Sequence, residues 1–81
     1  MAQARQVLNN LKALAEDNGF NLERDCVKNV VYLKDMNDFA KVNEVYKEFF
    51  KENYPARTCI AVAEIPLNGL VEIESIFYRP P

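Results

Sequence analysis

The sequence predicts an α+β two-layer sandwich in which two helices cover one face of a mixed sheet, in the order α-β-α-β-β. Three observations carry this prediction. Two segments place apolar residues at helical spacing, and three others are β-branched and aromatic over strand-like lengths. Helix and strand signals also alternate before two strands close the chain, the pattern of helices segregated to one side of a sheet. At 81 residues the chain makes one small domain, residues 1–81. A domain of this size buries roughly 60–65% of the surface its unfolded chain exposes. Association would cover what it cannot cover alone.

The first helix is predicted over residues 2–17, where Ala4, Val7, Leu8, Leu11, Leu14 and Ala15 form one apolar stripe. Asn18-Gly19 ends it, with glycine just past the last turn. Its start carries no Ser, Thr, Asp or Asn to cap it, as if the chain entered the helix midway. Asn21 to Asp25 reads as a polar link. Cys26 to Leu33 is β-branched and partly alternating, so it is expected as an interior strand.

Lys34 to Asp38 opens the second helix, with Asp35 or Asn37 as its N-cap. The apolar stripe of that helix is Phe39, Val42, Tyr46, Phe49 and Phe50, and it is expected to stop around Glu52-Asn53. Because this helix lies between the first two strands, they can run parallel through a crossover. Asn43 falls inside the apolar stripe. It reads either as a core amide bonded to a backbone carbonyl or as a polar group lining a pocket.

The closing stretch, Tyr54 to Tyr78, reads as a β-hairpin around Pro66-Leu67-Asn68-Gly69, followed by the tail Arg79-Pro80-Pro81. Pairing Ile65 with Leu70 sets Ala63 opposite Glu72, Cys59 opposite Ile76 and Arg57 opposite Tyr78, with Arg57, Cys59 and Glu72 on one face. Neither alternating set of either strand is polar throughout, so both faces of the hairpin are expected to be buried. This chain holds no further element to cover the second face, and self-association is the economical answer. In that register Arg57 and Glu72 lie roughly 20 Å apart along the strand, at about 3.3 Å per residue. A site using both would draw on two subunits.

Composition narrows the function classes. The net charge is −2, and Lys and Arg are interleaved with Asp and Glu. That pattern disfavours nucleic acid, whose binders cluster cations to displace phosphate counterions. No apolar run approaches the about 18 residues of a membrane span. Two cysteines without CxxC spacing, and no histidine, argue against a zinc site and exclude histidine-based nucleophiles. No metal is expected, and the thiols read as free in a reducing compartment, with a disulfide between two strands as the alternative. Arg57 and Glu72 are the best candidates for chemistry; an interfacial ion pair and a solvated strand-end carboxylate are the plainer readings. Cys59 reads more readily as a small buried hydrophobe than as a nucleophile, since no base is present to form its thiolate.

The runs RQVLNNLKALAEDNG, VVYLKDMNDFAKVNEVYKEFF, YPARTCIAVAEIP and LVEIESI resemble the Rid (reactive intermediate deaminase, YjgF/L-PSP-type) family over nearly the whole chain, from about Gln3 to Ile76. The resemblance implies a chorismate-mutase-like fold, a homotrimer and ligand clefts between subunits. It also implies further strands ahead of the first helix, so this chain is expected to be N-terminally truncated and to hold the C-terminal two-thirds of the domain. The implied activity is cofactor-free hydrolysis of 2-iminobutanoate or 2-iminopropanoate to a 2-oxo acid and ammonia. The implied compartment is the cytoplasm, with the mitochondrion as the alternative. By the same resemblance, Arg57 clamps the substrate carboxylate, a role suited to a planar guanidinium. Cys59 lines the pocket, Asn43 faces the cleft and Glu72 positions or activates the water. A non-catalytic small-molecule-binding or assembly module and the family's older label of endoribonuclease are the alternative functions.

Overall fold

The computed structural model describes residues 1–79; Pro80 and Pro81 of the expected tail lie outside the described residues. Two long helices, α1 (Ala2–Asp17) and α3 (Phe39–Phe49), pack on one face of a three-stranded sheet of β1 (Cys26–Leu33), β2 (Ala56–Ala61) and β3 (Val71–Phe77). A four-residue helix, α2 (Leu22–Asp25), precedes β1. The core is the seam between helices and sheet, where Leu8, Val31, Leu33, Val42, Val45, Tyr46, Phe50 and Val71 are buried.

Helix α1 has no side-chain cap at its start, as its sequence predicts. It ends in a Schellman motif, in which Gly19 N–H donates to Glu16 O (3.1 Å) and Phe20 N–H to Ala15 O (2.8 Å). Gly19 takes φ +79°, which glycine adopts without strain. Ala4, Leu8 and Ala15 are buried, whereas Leu14 is exposed at the rim of the stripe.

The expected polar link is instead α2, a single turn too short to show apolar periodicity. Asn21 Oδ1 accepts from Arg24 N–H, and Asp25 Oδ2 accepts from Asn21 N–H, both at 2.8 Å. Arg24 also grips Asp25 in a two-pronged ion pair, Nε to Oδ1 and Nη2 to Oδ2, each 2.8 Å. These donors, Arg24 first and the Asn21 N–H second, hold the buried Asp25 carboxyl down at about 2, against the burial that would raise it.

Strand β1 spans the residues predicted. A one-turn 3-10 helix, Met36–Asp38, then precedes α3, with Asp35 as its cap accepting from Asn37 N–H at 2.9 Å. Helix α3 stops at Phe49, short of the expected Glu52-Asn53. The cause is Glu23: its Oε2 accepts the N–H groups of Lys51 (2.8 Å), Glu52 (2.7 Å) and Asn53 (3.2 Å), which therefore leave the helical ladder. Those three donors also lower the Glu23 pKa, the Glu52 and Asn53 bonds most.

The expected hairpin does not form. The strand order is β2-β1-β3, with β1 parallel to β2 and antiparallel to β3. Arg57 pairs with Asn29 and Cys59 with Val31, while Glu72 pairs with Tyr32 and Ser75 with Asn29. The turn at Pro66–Gly69 exists, closed by Gly69 N–H to Pro66 O at 3.2 Å, with Leu67 (φ 60°) and Asn68 (φ 56°) left-handed. It lies within a connection long enough to cross the end of β1, so it does not force its flanking strands together. Both neighbours bond that end: Val62 N–H donates to Leu33 O (2.8 Å) and Lys34 N–H to Leu70 O (3.0 Å).

Within the single chain only one face of the sheet is covered, as expected of a chain that holds no further element for the second. Asn29, Val31, Leu33 and Val71 are buried beneath the helices, but Ile60 (41% exposed) and Ile76 (52%) stand open on the opposite face. Strand β2, an edge strand, is exposed along most of its length.

Because the folded Asp25 pKa of about 2 lies below its ordinary 3.8, its contribution to stability is complete above pH 4 and is lost as pH falls toward 2. Asp25→Asn should therefore be less stable than the wild type at pH 7, and the gap should close between pH 4 and 2. Urea titrations across that range check this; a gap independent of pH contradicts it.

Candidate functional site

The site is assembled around Arg57 at the outer edge of the sheet. Strand alternation directs Arg57 and Cys59 to the helix-bearing face, where Arg57 meets side chains of α3. Arg57 Nη1 donates to Asn43 Oδ1 at 2.5 Å. Its Cζ lies 4.9 Å from the Tyr46 ring centroid and 5.4 Å from that of Phe39. Phe39, Asn43 and Tyr46 follow the i, i+4, i+7 spacing of one helix face, so a single stripe of α3 forms the seat. Cation–π contacts at exposed sites are worth about 0.5–1 kcal/mol each. Together they bias a side chain that carries about 2 kcal/mol of rotamer entropy.

Every one of these contacts is uncharged. Among the described residues the carboxylates in ion pairs are Glu48, held by Arg5, and Asp25, held by Arg24; Arg57 has none. Its guanidinium is thus oriented on one side and uncompensated in charge. It offers the geometry that a planar anion such as a carboxylate completes.

Asn43 is half-buried and turns its amide oxygen to the Arg57 side chain, so it is not the core amide bonded to a backbone carbonyl. The fully buried amide is Asn29, which the sequence reading passed over. Its Nδ2 donates to Tyr46 Oη (2.9 Å), and its Oδ1 accepts from Cys26 Sγ (3.2 Å) and from Ser75 Oγ. A polar residue inside the β-branched run Val27–Leu33 was the signal available for it. Phe39 and Tyr46 were visible only as core positions.

Cys59 is half-buried beside Arg57. Burial raises its pKa, and the nearby guanidinium opposes the shift only in part. Burial raises the Cys26 thiol as well. Neither residue is poised as a thiolate.

Glu72 does not join this cluster. It projects from the opposite, uncovered face, exposed beside Glu74. Two strand spacings of about 4.8 Å and three residues of about 3.3 Å put it roughly 14 Å from Arg57 along the sheet, with the sheet between them. The expected common face for Arg57, Cys59 and Glu72 fails because it assumed the hairpin register. A cavity of about 690 Å³ does exist, lined by Lys34, Glu64 and the Ile65–Leu70 loop, but it sits past the C-terminal end of β1. Of its two charged lining residues, Lys34 already donates its ammonium to Ala63 O.

Comparison with known proteins places these residues in a family context. Residues 1–78 match the model of the Endoribonuclease L-PSP family. A RutC family protein of Pyrococcus horikoshii is 54% identical over 77 residues, covering 95% of this chain and 60% of the relative. The 2-iminobutanoate/2-iminopropanoate deaminase of Escherichia coli is 48% identical over 81 residues, covering 96% of this chain and 62% of the enzyme. Among solved structures, the YjgF gene product of E. coli superposes with a TM-score of 0.90 at 46% identity, covering 98% of this chain and 64% of that one. E. coli TdcF with bound serine also gives 0.90, at 42% identity, covering 99% of this chain and 66% of that one. The chain spans about 60% of the length of the curated relatives it matches.

Raised thiol pKa values have a direct consequence. At pH 7, Cys59 should react with iodoacetamide more slowly than free cysteine, and the more deeply buried Cys26 more slowly still. Mass-spectrometric labelling rates test this, and a Cys59 faster than free cysteine contradicts the assignment.

Proposed function

The chain belongs to the Endoribonuclease L-PSP family, and from that premise we propose that it hydrolyses 2-imino acids, such as 2-iminobutanoate and 2-iminopropanoate, to 2-oxo acids and ammonia. The observation that carries the proposal is the uncompensated Arg57 guanidinium, seated on Asn43, Tyr46 and Phe39 by neutral contacts alone. The name of the E. coli relative supplies the substrate class.

In this reading Arg57 takes the substrate carboxylate through its free guanidinium edge, and Asn43 and Cys59 border the bound molecule. Water adds to the imine carbon, giving a carbinolamine. The nitrogen takes up a proton, the carbon–nitrogen bond breaks, and ammonia leaves as the carbonyl forms. No cofactor enters that balance. Glu72 positions the water and accepts its proton, and since it stands on the far face from its own Arg57, it comes from a neighbouring subunit. Copies of the chain pack their open sheet faces together as a homotrimer in the cytoplasm, covering Ile60 and Ile76. The support for this assembly is the apolar character of that face.

The same geometry supports a second reading. A single chain holds a carboxylate seat without a base beside it, which is sufficient for a non-catalytic module that binds small 2-oxo acids. The ribonuclease activity in the family's description gains no support here, because the chain carries net charge −2, no histidine and no basic stripe.

Two assays separate these readings. In a coupled dehydratase assay the chain should shorten the lifetime of 2-iminobutanoate, and titration with 2-oxobutanoate should saturate. Arg57→Ala should weaken 2-oxobutanoate binding by about 10- to 100-fold, the loss expected for hydrogen bonds to a charged group. Binding without turnover selects the module, whereas binding unaffected by Arg57→Ala removes the carboxylate seat from both readings.

A further inference from the structure

We infer that Asn29 and Tyr46 are positioning residues for Arg57: the buried amide fixes the tyrosine, and the tyrosine ring fixes the guanidinium. The inference rests on the reading of Arg57 as the carboxylate seat and extends it to two residues that touch no ligand.

Asn29 lies at the centre of the central strand with no exposed surface, flanked in sequence by Lys28 and by two valines, Val30 and Val31. A buried primary amide is costly unless its polar atoms are satisfied, and an aliphatic residue would serve the strand better. What the amide provides is direction. Its oxygen is held from two sides, by Ser75 of β3 and by Cys26 of its own strand. That leaves Nδ2 aimed at α3, where it donates to Tyr46 Oη at 2.9 Å. The Tyr46 ring is otherwise in apolar packing, 3% exposed and 4.6 Å from the Phe50 centroid, and its hydroxyl is the polar end that needs a partner.

The same ring lies under Arg57, whose Cζ is 4.9 Å from its centroid. A hydrogen-bonded series therefore runs from β3 through β1 to α3 and ends under the cation on β2. Arg57 itself is exposed, so among the described residues Tyr46, Phe39 and Asn43 are what orders it. Ordering the guanidinium before the ligand arrives removes part of the entropic cost of binding. The hydrogen bond between Asn29 and Tyr46 should therefore be felt at Arg57 although neither residue meets the substrate.

The test uses the side-chain Nε–Hε resonance of Arg57, together with 2-oxobutanoate titration, in the full chain. In the wild type the tyrosine ring current should shift this resonance from its position in free arginine. Tyr46→Phe and Asn29→Ala should each move it toward the free position and weaken 2-oxobutanoate binding by about 2- to 10-fold, the range for losing one neutral hydrogen bond. A merely structural role would lower the melting temperature and leave the resonance in place. An unmoved Arg57 resonance in folded Tyr46→Phe overturns the inference, even if Asn29→Ala fails to fold. Arg57→Ala serves as the separate control. If it binds 2-oxobutanoate as the wild type does, the carboxylate reading fails, while the resonance still decides whether the two residues position Arg57.

Discussion

A strand with a neighbour on each edge and helices over one face leaves little freedom to the rest of a small chain. Strand β1 is in that position, bonded to β2 along one edge and β3 along the other. At its middle sits Asn29, whose amide links β3 to α3. Polar groups buried this deeply must be satisfied together or not at all. The register of the three strands and the seat of α3 are therefore set by the same few hydrogen bonds.

That constraint decides where chemistry can occur. Placing β1 in the middle sends β2 to an edge, so Arg57 is held by the core yet remains within reach of solvent. It also sends Glu72 to the uncovered face of β3. The cation and the carboxylate of one chain are thus divided by the sheet itself. Apolar residues around Glu72 and Glu74 give that face a reason to meet another copy, and such a meeting is the route by which the two charges could share a ligand.

Much of the architecture was legible in the sequence because periodicity reports it. The apolar stripe from Ala4 to Ala15 and the β-branched run from Cys26 to Leu33 delimit their elements closely. Strand order was not legible. The Pro66-Leu67-Asn68-Gly69 turn is a sound local signal, but a turn states how the chain reverses and not which strand lies beside which. The error propagated, because the hairpin register put Arg57 and Glu72 on one face when the true register separates them. Two further misses have local causes. Helix α2 depends on the Asn21–Asp25 capping bonds, with no periodic pattern to announce it, and α3 ends early because Glu23, distant in sequence, captures the next three N–H groups. Within the site, Arg57 and Asn43 stood out by type and spacing, whereas Cys59 entered only through the family resemblance. The aromatic seat was hidden, since Phe39 and Tyr46 read equally well as core.

The most direct test is a crystal structure of the chain with 2-oxobutanoate. The account predicts the ligand carboxylate on the Arg57 guanidinium, bordered by Asn43 and Cys59, with the nearest Glu72 belonging to a neighbouring copy. A ligand bound elsewhere, with Arg57 still resting on Phe39, Asn43 and Tyr46, would contradict it.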